Sequence, residues 1–217
     1  MRPTGRLSTL HGAFQSRLAR IRVKIGRLLD PNVAWNHADL LVSFAAIELH
    51  SAWAVFSRNF FLSLIQRPIS LTGKHIGVSS AIRTNQDGLR AAIRVCKPKI
   101  ILANPDGPWS PQEEPPWFSS NTITASCAAI GASNITEVRA AFSIPQTIFR
   151  DLATFRNFYG HRNENTAARA TNLAARYAVP RTPHPTNLLR TRKPGSPNSI
   201  LFNFFDEARI AAEIMCR

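Results

Sequence analysis

Apolar residues recur at helical spacing along most of the chain, and the first such run lies near the N-terminus. Between residues 6 and 29, apolar positions are separated by steps of three and four, which predicts an amphipathic helix. These positions are Leu7, Leu10, Phe14, Leu18, Ile21, Ile25 and Leu28. The basic residues fall largely off this stripe, so we expect a core-facing helix with a solvated charged face. A basic helix that lies on RNA or on an anionic surface is the alternative.

The longest helical segment runs from Trp35 to Ile65 and stops at Arg67-Pro68. Its length alone would allow it to span a bilayer. Polar and charged residues interrupt it too often for a membrane helix. The interrupting residues are Asp39, Glu48, His50, Arg58 and Asn59. We therefore expect the buried central helix of a bundle.

Shorter helices and two proline-rich loops are predicted for the rest of the chain. The helices are expected at residues 78–96, 119–132, 134–142, 143–159, 165–178 and 200–215, and the loops at 103–117 and 180–198. Ser143 is expected to cap helix 143–159, with Pro145 in its first turn, where proline is favourable. No stretch alternates convincingly as a strand. The pattern predicts an all-α bundle of about five to seven helices in one domain, residues 1–217.

Charge adds a class of partner to this picture. The chain has 27 Lys+Arg against 13 Asp+Glu, a formal net charge of +14, and all but five of the basic residues are arginine. Arginine binds phosphate through a planar fork of donors, and a chain this basic attracts polyanions. RNA is therefore an expected partner. An arginine-rich composition with solvated side chains would give the same count.

Cysteine usage and the N-terminal residues bear on the compartment. The three cysteines have no zinc-ligand spacing, so we expect neither a metal nor a cofactor. Isolated thiols fit a reducing compartment. No apolar signal-peptide segment follows Met1. We expect a cytoplasmic protein that does not enter a membrane.

One segment carries candidate chemistry, because Arg156 is followed by Asn157, three further residues and then His161. The spacing alone is weak evidence. With 22 arginines and six histidines in 217 residues, chance gives about 0.6 matches, and a second match exists from Arg6 to His11. The match from Arg156 to His161 has three features that the match from Arg6 to His11 lacks. A polar residue follows the arginine, Gly160 precedes the histidine, and an apolar helix leads into the motif.

This combination resembles the signature of the HEPN superfamily of all-helical ribonucleases, an arginine followed by four to six residues and a histidine. Asparagine directly after the arginine is a common form of that signature. The resemblance is strongest over residues 145–180. It implies a metal-independent endoribonuclease with Arg156, Asn157 and His161 as catalytic residues. It also implies a homodimer in which two motifs face each other across one cleft. Members often act as toxins, in phage defence or in RNA processing, so an antitoxin or another regulatory protein is an expected type of partner.

Helix geometry leaves two arrangements open for the motif. In an unbroken helix, five residues rotate by about 500°, so Arg156 and His161 would point about 140° apart. A left-handed cap at Gly160 would end the helix at Tyr159 and let His161 swing back toward Arg156. The alternative is a continuous helix whose two side chains meet partners from a second protomer.

The expected chemistry uses these side chains alone. An imidazole titrates near neutral pH, so His161 could remove the proton from a ribose 2′-hydroxyl or protonate the leaving 5′-oxygen. Arg156 could stabilise the charge that develops on the phosphate oxygens. Asn157 could orient the histidine or the ribose. The products would carry 2′,3′-cyclic phosphate and 5′-hydroxyl ends.

Other candidates are weaker. Arg162 could bind an adjacent phosphate, and Glu48 could line the same cleft, although we favour an internal ion pair of Glu48 with Arg58 or Arg156. His184 is expected to be exposed in a loop. Two rival interpretations remain: a non-catalytic HEPN-like domain that binds RNA or a partner protein, and a structural subunit of a ribonucleoprotein.

Overall fold

The computed structural model describes residues 1–26, 34–143 and 147–217, and these residues form an all-α fold, as predicted. The described ranges contain three isolated β-bridges but no strand. The helices are α1 (Leu7–Lys24), α2 (Trp35–Ile65), α3 (Asn85–Cys96), α4 (Pro98–Ala103), α5 (Ser120–Ala129), α6 (Ile135–Ser143), α7 (Ile148–His161), α8 (Glu164–Thr171), α9 (Pro185–Arg190) and α10 (Ile200–Met215), with a 3₁₀ helix at Asn172–Tyr177.

The chain divides into two compact units. The first unit comprises Met1–Gln15, Trp53–Pro145 and Ile210–Arg217, and the second comprises Ser16–Ala52 and Gln146–Arg209. Helices α1, α2 and α10 contribute residues to both. The single domain expected over residues 1–217 stays a prediction.

Aromatic side chains fill the core of the first unit. Phe14 stacks on Phe56 with ring centroids 4.5 Å apart, and its edge meets Trp53 at 6.0 Å. All three are buried, as expected for apolar bulk on α1 and α2. Elsewhere in this unit, Arg58 donates two hydrogen bonds of 2.6 Å to the buried carboxylate of Glu114.

The second unit has a smaller aromatic core around α7 and α10. Phe155 lies 6.1 Å from Phe204, whose ring is 6.4 Å from that of Tyr177. The three side chains are buried. This core fixes the inner face of α7, so the opposite face is the one available for chemistry.

Helix α2 confirms the expected buried helix, because its apolar positions are largely inside the protein. It is also the one helix in the described ranges long and apolar enough to cross a membrane by length and composition, and half of its most apolar window is buried in the structure. The core helix of a soluble protein passes the same test.

Several predicted boundaries were wrong for reasons of capping. Helix α3 begins at Asn85 rather than near residue 78, because Thr84 and Asp87 form a reciprocal capping box. Ser143 is the last residue of α6 and not the cap of α7, whose N-cap is Thr147. Pro145 lies outside the described residues, as do positions 27–29 of the expected first helix.

Two segments depart from the prediction farther along the chain. The expected loop 180–198 contains α9, which has Pro185 in its first turn, where a proline needs no hydrogen-bond acceptor. The expected helix 165–178 begins at Glu164 and changes to a 3₁₀ helix at Asn172. The proline-rich loop at 103–117 is confirmed from residue 104 onward.

Candidate functional site

The motif helix α7 is held at its first turn by a carboxylate from α10. Glu207 accepts hydrogen bonds of 2.8 Å from the backbone N–H groups of Thr147 and Ile148, and a further bond from the Thr147 hydroxyl. These contacts satisfy N–H groups that a helix start leaves without partners. Burial raises the pKa of Glu207 and outweighs the opposing effect of these hydrogen bonds.

A buried aspartate fixes the next turn of α7. Asp151 is fully buried, and its carboxylate accepts hydrogen bonds from Arg176, from the Tyr177 hydroxyl at 2.8 Å and from Arg150 at 3.1 Å. A buried carboxylate is stable only when such donors compensate for lost hydration. The network therefore ties α7 to the 3₁₀ helix and sets the rotation of α7 about its own axis.

A left-handed cap at Gly160, one of the two arrangements open to the motif, is not the one observed. Helix α7 continues through Gly160 to His161, and Arg162 takes the left-handed conformation instead, with φ 43° and ψ 46°. The N–H of Arg162 donates to the carbonyl of Phe158 at 2.7 Å. A left-handed non-glycine residue costs about 1 kcal/mol or more, so other contacts must stabilise it.

Those contacts come from Asp39 and from two aromatic rings. The Arg162 guanidinium donates to Asp39 at 2.7 Å and lies 5.6 Å from the Tyr159 ring centroid and 6.0 Å from that of Phe158. Thr186 donates a second hydrogen bond to Asp39. Burial disfavours ionisation of Asp39, but the bonds from Thr186 and Arg162 outweigh it and lower the pKa of this carboxyl.

His184, expected in an exposed loop, is instead a half-buried helix cap beside this turn. Its Nδ1 accepts a hydrogen bond of 3.2 Å from the N–H of Thr186 at the start of α9. The ring meets Trp35 and Phe158 edge to face, each at 5.2 Å. Burial lowers the pKa of His184, Asp39 opposes that change and Arg162 adds to it.

The left-handed residue sends the chain directly into α8. Asn163 caps α8 by accepting from the N–H of Thr166, while the Thr166 hydroxyl accepts from the N–H of Asn163. Helix α8 packs against α7. Because only Arg162 and Asn163 connect them, the last turn of α7 and the first turns of α8 lie side by side.

An open cleft of about 300 Å³ lies between these two helices. It is lined by Thr154, Asn157, His161, Thr166 and Arg169. The three residues from α7 are spaced by three and four positions, so they share one helix face. The cleft thus holds an imidazole, a guanidinium, an amide and two hydroxyls, with no carboxylate among its lining residues.

The structure brings His161 and Asn157 into this cleft, whereas Arg156 does not line it. Arg156 is exposed, and its Nη1 donates to the amide oxygen of Asn157 at 3.4 Å. A methyl group at Gly160 would lie 3.9 Å from the same nitrogen, so the guanidinium extends along α7 toward the C-terminal end of that helix. Of the two arrangements open to the motif, the continuous helix is the one observed.

A second histidine lies near Arg156. His50, on α2, is half-buried, and burial together with the positive charge of Arg156 lowers its pKa to about 4. His50 is therefore neutral at physiological pH.

The remaining sequence candidates have partners of their own. Glu48 pairs with Arg17 at 3.1 Å, so the expected pairing with Arg58 or Arg156 was wrong. Neither Glu48 nor Arg162 lines the cleft. Substrate-binding roles for both stay predictions, and Arg162 is engaged by Asp39.

Sequence reasoning missed Arg169, Thr154 and Thr166. No motif marks Arg169, which follows His161 by eight positions. The signal that could have located it is the Asn163 and Thr166 pair, spaced as a helix N-terminus requires. That spacing predicts a second helix immediately after the motif and places Arg169 on the same face as Thr166.

No three His, Cys, Asp or Glu side chains in residues 1–26, 34–143 and 147–217 cluster closely enough to hold a metal ion. Comparisons with protein-family models, with curated proteins and with solved structures found no match to this chain.

Proposed function

We propose that this chain is a metal-independent endoribonuclease that cleaves RNA with the groups at the α7–α8 cleft. His161 removes the proton of a ribose 2′-hydroxyl, and the 2′-oxygen attacks the adjacent phosphorus. The bond to the 5′-oxygen breaks, and that oxygen takes up a proton from solvent, while His161 releases the proton it accepted to solvent. The products carry a 2′,3′-cyclic phosphate and a 5′-hydroxyl.

The observation that carries this proposal is the composition of the cleft. His161 and Asn157 share it with Arg169, and no carboxylate lines it to repel a phosphodiester. Arg156 does not line the cleft, but its guanidinium donates a hydrogen bond of 3.4 Å to Asn157, which does. Guanidinium groups held beside a reacting phosphate stabilise the charge that develops on its oxygens.

The resemblance to HEPN ribonucleases supports the same assignment. Arg156, Asn157 and His161 match that signature, and all three are on one helix of an all-α fold. Because Arg156 and His161 point in different directions on a continuous helix, we infer that a second copy of the chain completes the site. A homodimer, a role as a toxin or in phage defence and a restraining protein partner are parts of this proposal.

An RNA cleavage assay in EDTA tests the proposal. The wild-type protein should cut single-stranded RNA in excess EDTA and leave cyclic phosphate ends. His161→Ala should remove this activity, and Arg156→Ala should reduce it about 100-fold.

Matched controls are available on exposed residues of the first unit. His75→Ala and Arg139→Ala replace the same residue types at exposed positions outside the cleft and should retain wild-type rates. Intact RNA with the wild-type protein, together with salt-sensitive RNA binding, would reject the nuclease and favour a binding domain of the same fold.

A further inference from the structure

Basic residues concentrate in the part of the chain that builds the cleft. Residues 150–193 contain nine Lys+Arg against two Asp+Glu, a net charge of +7, which is half of the formal charge of the whole chain. A polyanion would be attracted to this segment more strongly than to the rest of the chain.

Several of these arginines already have carboxylate partners. Arg150 and Arg176 bond to Asp151, and Arg162 bonds to Asp39. The two carboxylates offset two of these three positive charges, and the bonded side chains stabilise the turns described above. They are therefore less suited to binding a substrate phosphate.

Arg169 differs from this group. Its side chain is exposed and lines the cleft with His161. Within the described ranges, the side chain of Arg169 makes neither a hydrogen bond nor an ion pair. The cleft therefore contains a guanidinium whose donors and charge are available to a ligand.

The backbone that carries Arg169 is fixed on both sides. The capping box of Asn163 and Thr166 starts α8, and the buried residues Ala170 and Thr171 anchor its end. The Thr171 hydroxyl donates to the carbonyl of Ala167 at 3.1 Å. A guanidinium that extends from such an anchored helix loses less entropy on binding than one on a loop.

We infer that Arg169 binds a phosphate of the RNA substrate in the α7–α8 cleft, on the opposite wall from His161. This inference rests on the proposed function and adds to it a residue outside the Arg156–His161 motif. The planar fork of Arg169 takes two phosphate oxygens, while the hydroxyls of Thr154 and Thr166 can serve the ribose or the same phosphate. Arg169 thereby sets which phosphodiester lies beside the imidazole.

The test is the salt dependence of RNA binding. The probe is a 2′-O-methyl RNA oligonucleotide, which keeps the phosphates but has no attacking hydroxyl. For single strands, each phosphate contact contributes about 0.7 to the slope of log affinity against log salt concentration. Arg169→Gln should reduce the slope by about that amount and weaken binding, whereas Arg139→Gln on α6 should leave both at wild-type values. Arg169→Lys keeps the charge without the fork and should retain the slope but raise KM for cleavable RNA.

The outcomes separate this inference from the proposed function. If wild type binds the probe without cutting RNA, and only Arg169→Gln lowers the slope, then the nuclease proposal fails and the phosphate site stands. If His161→Ala abolishes cleavage while Arg169→Gln and Arg139→Gln match wild type in slope and KM, the Arg169 assignment is overturned and the nuclease stands. Absence of salt-dependent binding by the wild-type protein overturns the phosphate site. Equal melting temperatures of the variants exclude unfolding as a cause.

Discussion

Two stretches of this chain place a histidine five positions after an arginine, and their surroundings differ. Arg6 lies just before α1, where its backbone pairs with Ile69, and the next residue, Leu7, is buried in the core. His11 is in α1, with one ring nitrogen 2.9 Å from the side-chain nitrogen of Gln15.

In the other stretch, both residues lie within α7. The residue after Arg156 is Asn157, which faces the cleft instead of the core, and His161 faces the same cleft one turn later. The same spacing thus yields a core-facing helix start in one case and a set of polar groups around an open cleft of about 300 Å³ in the other. The two stretches therefore differ in the residue beside the arginine and in the turn after the histidine, and these features place Asn157 and His161 in the cleft.

The largest difference between the two stretches should appear in cleavage rates. His161→Ala should lower kcat/KM for RNA by about 1,000-fold, the loss expected when a general base is removed. His11→Ala should leave the rate unchanged, because that ring lies outside the cleft. Single-turnover cleavage of an end-labelled RNA measures both variants. Equal losses of kcat/KM in His161→Ala and His11→Ala would show that the two stretches do not differ in their role in cleavage.

The second expected effect concerns the anchor that sets the rotation of α7. Asp151→Asn removes the charge that Arg176 and Arg150 compensate and should lower the free energy of unfolding by about 2 kcal/mol. Glu213→Gln breaks an exposed pair with Arg217 four residues away and should cost at most about 0.5 kcal/mol. Urea unfolding followed by circular dichroism gives both values. If Asp151→Asn lowers the free energy of unfolding no more than Glu213→Gln does, the Asp151 network does not hold α7 in place.

A smaller effect is expected when the residue after Arg156 is replaced by the residue type that follows Arg6. Asn157→Leu replaces the cleft-facing amide with the side chain found after Arg6 and should reduce kcat about tenfold, the equivalent of one lost hydrogen bond. Asn157→Asp keeps the shape but adds a negative charge and should raise KM for RNA as well. A rate for Asn157→Leu equal to that of wild type would remove Asn157 from the site.

A pH dependence of stability is also expected from His50, the α2 histidine whose pKa the charge of Arg156 helps to lower. The pKa of His50 is about 4 in the folded protein against 6.5 for a free side chain, so the unfolded chain binds more protons between these values. Stability should therefore fall as the pH drops through this window, by about 2 kcal/mol between pH 7 and pH 5. In His50→Gln, the loss over the same interval should be smaller by that amount. Identical pH profiles in urea unfolding would show that His50 makes no such contribution.

The regular helices could be predicted from the sequence, and the turns that build the site could not. Helix α10 has the predicted bounds, and α2 has the predicted length and burial, because each is a long periodic apolar run. The end of α7 was placed wrongly because Gly160 has the intrinsic preference for the left-handed state. Arg162 adopts that state through its bond to Asp39, a residue 123 positions away.

The candidate site was predictable only in the part that one helix supplies. Asn157 and His161 follow from a motif on α7. Arg169 depends on the two-residue connection and the packing of α8 back onto α7. The ion pairs of Arg162 and Glu48 likewise depend on tertiary contacts, which spacing along the chain does not encode.

The most direct test of the central claim is cleavage of two RNA oligonucleotides in EDTA that differ at one ribose. The first is all-RNA, and its main cleavage position is mapped; the second carries a 2′-deoxyribose immediately 5′ of that bond. We predict cleavage of the first with a 2′,3′-cyclic phosphate end and no cleavage at the same bond of the second. Cutting of the deoxy-substituted bond at an equal rate would show that the 2′-hydroxyl is not the nucleophile and would contradict the mechanism assigned to His161.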